Sequence, residues 1–257
     1  MLDPTQIMSR REIATVPSNM HRKAKHSRLT HQNLIIFRLT IGAGLRCSEV
    51  AKLEIRDLHL TGARPHILIR KALSKTKRSR KVPLWWDQGT LDALLAWRDV
   101  RVENMGAGPQ DPVVCVMVKI HSNGLMTKPG MRARLGRPLA RQQIATKWRS
   151  AVRCLGPDRQ RELHTHSGRH TFASYMVHER SLPEVRDALG HSSLAMTSIY
   201  LHVRPEDMDR RGSVFKLEYD EPEEVTPDDQ ADQSADQPPK PRGAEKPVQG
   251  RWRFRRA

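Results

Sequence analysis

The chain has 257 residues and carries 45 Lys and Arg against 28 Asp and Glu, a formal charge of +17. The excess is local: residues 218–257 hold 7 basic and 10 acidic side chains, leaving 38 basic against 18 acidic, about +20, in the body. A charge of that size calls for a polyanionic partner, and no apolar run approaches the roughly 18 residues that would span a bilayer.

Residues 1–29 are polar and basic, with a short helix expected near 4–14. Thr30 is expected to cap a helix through HQNLIIFRLTIGA, whose Leu34, Ile35, Leu39 and Ile41 give one apolar face. Gly42 and Gly44 end it and place Arg46 at the start of a next helix, SEVAKL. Residues 66–70 and 80–84 read as two strands joined by the turn ALSKTKRS, and 112–117 as a third. A helix is expected over 91–102, with Leu91, Leu94, Leu95 and Val102 turned inward. Residues 119–137 read as an exposed basic loop, and 141–155 as a helix with Ile144, Trp148, Val152 and Leu155 at helical spacing. Further helices are expected near 167–179, 183–189 and 193–199. From Glu218 the composition turns to Asp, Glu, Gln and Pro, which cannot bury a core.

The start of the chain lacks an apolar secretory segment. Cys47, Cys115 and Cys154 are odd in number and widely spaced, which points to reduced thiols rather than a disulfide framework. The chemistry gathers in two places. One is Gly44-Leu45-Arg46-Cys47-Ser48-Glu49, where a guanidinium can fork onto two phosphate oxygens. Its plain alternative is a surface arginine near a helix end. The other runs from His166 to Tyr200. It holds His166-x-x-Arg169-His170, then Leu189-Gly190-His191, then Tyr200 nine residues on. Cations to hold a phosphate, imidazoles to share protons and a phenol to attack are what metal-free phosphodiester cleavage requires. His166 and His170, four apart on a helix, also admit a zinc reading, but no Cys or carboxylate lies near at ligand spacing. In the hairpin, Lys71, Lys75, Lys77, Arg78 and Arg80 crowd one turn, and their chemistry alone does not choose among them.

Taken together these motifs resemble the tyrosine recombinase (phage integrase) family. The hairpin residues 74–84 align without a gap on the family's G-K-x-x-K-x-R-x-V-P-L, and 166–173 match its second box except at Gly168, where a Leu usually packs. Leu189-Gly190-His191 with Thr197, Tyr200 and His202 match the third. The resemblance implies a mainly α fold with a small antiparallel β-sheet (α+β), over residues 30–217, after a basic segment 1–29 and before a tail 218–257. It implies Tyr200 as nucleophile, Arg46 and Arg169 as phosphate clamps and His191 as a phosphate hydrogen-bond donor. His166 would accept or share the nucleophile's proton, Lys75 would act as general acid with Lys77 its rival, and Glu49 would orient the cluster. Lys77, Arg78, Arg80, Lys119, Lys128, Arg132 and Arg134 would meet DNA. No metal, ATP or other cofactor is implied. Double-stranded DNA would be the partner, with a homo-oligomer on it, a tetrameric synapse, in the bacterial cytoplasm at the nucleoid. Relatives carry a helical domain of about 90 residues before the catalytic one, and only about 29 residues stand there in this sequence. Alternatives remain a topoisomerase-like nicking and closing enzyme and a truncated relative that only binds DNA.

Overall fold

The computed structural model describes residues 3–25, 27–74, 77–117 and 135–202. The chain divides into two units, Met1–Leu217 and Glu218–Ala257, and every described residue belongs to the first. The expectations for the tail and for the loop 119–134 therefore lie outside the described residues, as do Lys75 and Thr76.

Helix α1 (Arg10–Ala24) starts where Ser9 accepts from the Glu12 amide and Glu12 answers on the Ser9 amide at 2.8 Å. It is longer and later than the helix expected over 4–14. Its Ile13, Val16 and Met20 are buried, so α1 is part of the core beside α2. Arg159 ties its first turn down through Glu12 at 2.6 Å and the Ile7 carbonyl at 2.8 Å.

Helix α2 (Arg28–Ile41) is capped by Ser27, whose hydroxyl accepts from the Thr30 amide at 3.3 Å. Thr30 is thus the third residue of the helix and not its cap. The expected single apolar face is also too narrow: Ile36, Phe37, Arg38 and Thr40 are fully buried along with the predicted residues. A helix apolar nearly all round is a central one, and α2 touches α1 together with the later helices at 47–52, 88–99, 141–151 and 165–179.

Helix α3 (Cys47–Lys52) follows a tight turn, and β1 (Leu58–His59), β2 (His66–Ile69) and β3 (Arg80–Pro83) then form an antiparallel sheet in that order. Ile67 pairs with Leu58 on one side and Val82 on the other. The strand expected over 112–117 does not form. Pro112 has no N–H to give a ladder, and Val113, Val114 and Cys115 are all fully buried instead of alternating. Their backbone is satisfied piecemeal: Val113 N donates to Leu53 O at 2.8 Å, Cys115 N to Gln32 Oε1 at 2.8 Å, and Val113 O accepts from the Trp97 indole.

Helix α4 (Gln88–Asp99) begins three residues before the expected Leu91, because Asp87 accepts from the Thr90 amide. It passes into a π turn, Val100–Asn104. The wider turn shifts the helical phase, and Val102, expected inside, is 43% exposed. Helix α5 (Arg141–Ala151) continues as a 3₁₀ turn, Val152–Leu155. The short α6 (Pro157–Glu162) is not foreshadowed by any apolar periodicity and buries nothing. The remaining helices are α7 (Thr165–Glu179), α8 (Leu182–Leu189) and α9 (Ala195–Ser198). Among the described residues no helix is long and apolar enough to cross a membrane.

Candidate active site

The site lies where the starts of α3 and α7 meet β3 and the end of α8. Glu49, in the first turn of α3, is fully buried and is its hub. Arg80 from β3 forks onto both its oxygens at 2.9 and 2.8 Å, and Arg46 reaches it at 3.1 Å. Burial opposes ionisation of Glu49, but the Arg80 fork and Arg46 amide outweigh it and hold its pKa below the ordinary carboxylate value. The expectation that Arg80 meets DNA is corrected here. Its side chain is 7% exposed, and its third nitrogen, Nε, donates to the Ala188 carbonyl at 2.8 Å.

The same helix end collects the other two guanidiniums. Arg169, on α7 and 3% exposed, donates to Leu189 O at 2.7 Å and Gly44 O at 2.6 Å. Arg46 donates to Leu189 O at 3.4 Å. The last carbonyls of α8 are thus capped by three arginines, as the negative end of a helix favours. Burial, with Arg46 beside it, pushes the Arg169 pKa down to about 9, so the cation persists at neutral pH. Gly190 ends α8 at φ 65°, where a β-carbon would be strained and would press on Arg80 at 2.9 Å.

Tyr200, 4% exposed, sits just beyond α9 and between two imidazoles. Its hydroxyl is hydrogen-bonded to His170 Nδ1 at 2.9 Å. The His191 ring stacks on the tyrosine ring at 6.3 Å with 11° between planes, and its Nδ1 is tied to Thr197 Oγ1 at 2.9 Å. His166 is the exposed ring outside this pair, edge-on to His170 at 5.7 Å. Burial, then the charges of Arg169 and the neighbouring histidines, pushes His170 and His191 down to about 4. Both are neutral at physiological pH. Cations close to a phenol favour its phenolate. Arg169 and Arg46 do pull that way, but burial outweighs them and the phenol pKa is raised.

Arg46, Glu49, His166, Arg169, His191 and Tyr200 are therefore brought together. Lys77 and Arg78 stand exposed in the hairpin turn, Lys77 at φ 51°. Lys75, Lys119, Lys128, Arg132 and Arg134 lie outside the described residues. Three partners escaped the sequence reading: His170 on the Tyr200 hydroxyl, Arg80 on Glu49 and Thr197 on His191. The i, i+4 spacing of His166 and His170 was a signal for the first, but it was weighed only as metal chemistry. Among the described residues no group of three or more His, Cys, Asp or Glu is placed to share a metal ion.

The model of the phage integrase family matches residues 8–207, most of the chain and nearly all of its described part. The chain belongs to this family. It is 26% identical over 203 residues to a tyrosine recombinase of Pseudothermotoga lettingae, covering 79% of this chain and 59% of that protein. It is 31% identical over 175 residues to the tyrosine recombinase XerC of Actinobacillus pleuropneumoniae serotype 7, covering 67% of this chain and 47% of the relative. The chain thus spans about half to three-fifths of the length of these relatives. In fold it is similar to the XerA recombinase (TM-score 0.55, 20% identity, 77% of this chain and 60% of that one). It is also similar to the XerH site-specific recombinase crystallised with palindromic difH substrate in a post-cleavage complex. That match has TM-score 0.53 and 20% identity, covering 76% of this chain and 49% of that one. The family match starts at Met8, so it takes in α1, whose apolar face the fold buries beside α2.

Proposed function

We propose that this chain breaks and rejoins DNA at specific sites through a 3′-phosphotyrosine, as a site-specific recombinase or integrase. Tyr200 attacks the scissile phosphorus, and the 5′-oxygen leaves with its bond energy retained in the phosphotyrosine. The strand is resealed when a 5′-hydroxyl attacks in turn. Arg46 and Arg169 neutralise the charge that builds on the phosphoryl oxygens, and His191 donates to one of them. Lys75 protonates the leaving oxygen, with Lys77 as the other hairpin lysine in reach of that job. Glu49 positions the guanidiniums, and the exposed Lys77 and Arg78 with the cations of 119–134 follow the DNA backbone. Double-stranded DNA is the partner, and copies of the chain assemble on it as a tetrameric synapse.

The observation that carries this reading is a charge imbalance around one phenol. Among the described residues Arg46 and Arg80 pair with the carboxylate of Glu49, Arg169 is held by two carbonyls and no carboxylate, the charges of Arg169 and Arg46 act on Tyr200, and the imidazoles beside it are neutral. An anion the size of a phosphodiester completes that balance. Mere DNA binding needs no buried tyrosine at its centre.

The test uses a pool of nicked duplexes of random sequence, from which covalent protein–DNA complexes are selected under denaturing conditions. The full chain should yield adduct, and Tyr200→Phe should yield none while DNA affinity stays within about twofold, since one hydroxyl contributes little to a phosphate-dominated interface. Shifted mobility without adduct from the unaltered chain would leave only a DNA binder. Adduct persisting in Tyr200→Phe would move the nucleophile elsewhere. Tyr175 is a poor substitute, being fully buried with its hydroxyl on the Met8 carbonyl at 3.3 Å.

A further inference from the structure

A nucleophilic phenol must lose its proton, and Tyr200 is placed so that water cannot readily take it. The side chain is 4% exposed and its pKa is raised by burial. Resemblance to the family gave the proton to His166, yet that ring is the outer one and meets Tyr200 only through His170. His191 presents its face to the tyrosine ring and spends Nδ1 on Thr197. The atom in hydrogen-bond contact with the hydroxyl is His170 Nδ1, at 2.9 Å.

We propose that His170 is the general base of strand cleavage. Its Nδ1 receives the Tyr200 proton as the phenolic oxygen bonds to phosphorus and the bond from phosphorus to the 5′-oxygen breaks. The departing oxygen takes its own proton from a hairpin cation, so the two transfers balance, and resealing runs both in reverse. The inference rests on Tyr200 being the nucleophile. It needs the tautomer with the proton on Nε2, which leaves the Nδ1 lone pair toward the phenol. The titratable and charged groups around the pair are His164 at the cap of α7, His166 and Arg169 on it, Arg46 ahead of α3, and His191 beyond α8. Burial first, then His166, His164 and Arg169, keep His170 unprotonated before DNA arrives. The phosphate, an anion set among Arg46 and Arg169, offsets the cations that depress His170 and so makes the imidazole a stronger base when the substrate is in place.

Two substitutions separate proton transfer from mere support. His170→Ala removes ring and base. His170→Asn leaves a polar atom near the place of Nδ1 but cannot hold a proton there. Both should bind DNA within about twofold of the unaltered chain and form adduct on the nicked pool about 10²-fold or more slowly. The residual rate should climb with pH toward the phenol's ionisation, where the unaltered chain is level. Added imidazole should restore part of the His170→Ala rate, and should not help His170→Asn, whose side chain fills the gap. Adduct at full speed in His170→Asn, with an unchanged pH profile, would reduce His170 to a positioning residue and overturn the inference. So would imidazole rescue of His166→Ala with His170→Ala unaffected. If the unaltered chain forms no adduct, the nucleophile assignment fails and takes this inference with it. Adduct that Tyr200→Phe abolishes but His170→Ala does not slow overturns this inference alone.

Discussion

Gly168 stands where α7 packs on Thr40 of α2. Read against its family it is a lost Leu, a glycine that weakens a helix start and buries nothing. In the fold, a β-carbon there would lie 2.9 Å from Thr40 Oγ1 and 3.1 Å from Thr40 Cβ. That hydroxyl is not free to move aside, since it accepts from the Trp148 indole at 2.8 Å and donates to the Phe37 carbonyl at 2.8 Å. The glycine lets α7 close on α2 while a hydrogen-bonded Thr–Trp pair fills the volume. Helix propensity alone credits Gly168→Ala with about 1 kcal/mol of added stability. Overpacking against an immobile neighbour argues for a loss of about 1–3 kcal/mol instead. We expect the loss, read as a lower midpoint in urea with an unchanged slope. A gain would show that α7 can withdraw from Thr40 without cost. The side chains of the candidate site were readable, because Arg46, Arg169, His191 and Tyr200 sit in short motifs whose spacing carries chemistry. Their partners were not, because the contacts of Arg80 to Glu49 and His170 to Tyr200 join residues 31 and 30 positions apart.

At the scale of elements, helices with a strong apolar period were legible and their ends were less so. α2, α5, α7 and α8 came within a few residues of expectation. Competing caps moved the starts, Ser27 ahead of Thr30 and Asp87 ahead of Leu91. The π turn after α4 has no local signal, and α6 offers only Pro157 and Asp158 at its start with no apolar face. The β-sheet was misassigned at two strands: the buried run 112–117 is indistinguishable from a strand by periodicity, and the two-residue β1 is too short to show one. Strand β3 carries the most consequential revision, because Arg80 locks it to α3 and α8. Arg80→Ala should cost about 3–5 kcal/mol by leaving the buried Glu49 carboxylate underpaired. Adding Glu49→Gln should recover a good part of that in a double-mutant cycle followed by thermal unfolding. Weaker DNA binding with a shallower salt slope and no change in stability would instead make Arg80 a phosphate contact.

For the molecule as a whole, the imidazole cluster makes the fold sensitive to acid. His170 and His191 ionise near 4 in the fold and near the ordinary 6.5 in an unfolded chain, and His31 and His166 are also lowered. Between those limits the unfolded chain binds more protons, so stability is full above about pH 6.5 and is lost as pH falls toward 4. Glu49 and Glu12, held low by their arginines, add to the loss below that range, while Asp87, raised by burial, opposes it. The melting temperature should therefore drop between pH 7 and 5. It should drop less in the His170→Asn, His191→Asn double variant, and equal slopes would mean that the two imidazoles titrate normally.

The shared acceptor of Arg46 and Arg169 is a peptide oxygen, Leu189 O, and Arg80 rests on the next one back, Ala188 O. No substitution at Leu189 or Ala188 deletes those atoms. The alignment of the three guanidiniums is consequently insulated from mutational drift in the side chains that lie beneath it, and a lineage can repack the inner face of α8 without retuning its chemistry. What is left exposed to selection is the Glu49 carboxylate and the direction of one peptide, set by the left-handed turn at Gly190. One achiral residue and one carboxylate thereby bear the constraint that a ring of side chains would otherwise have to share.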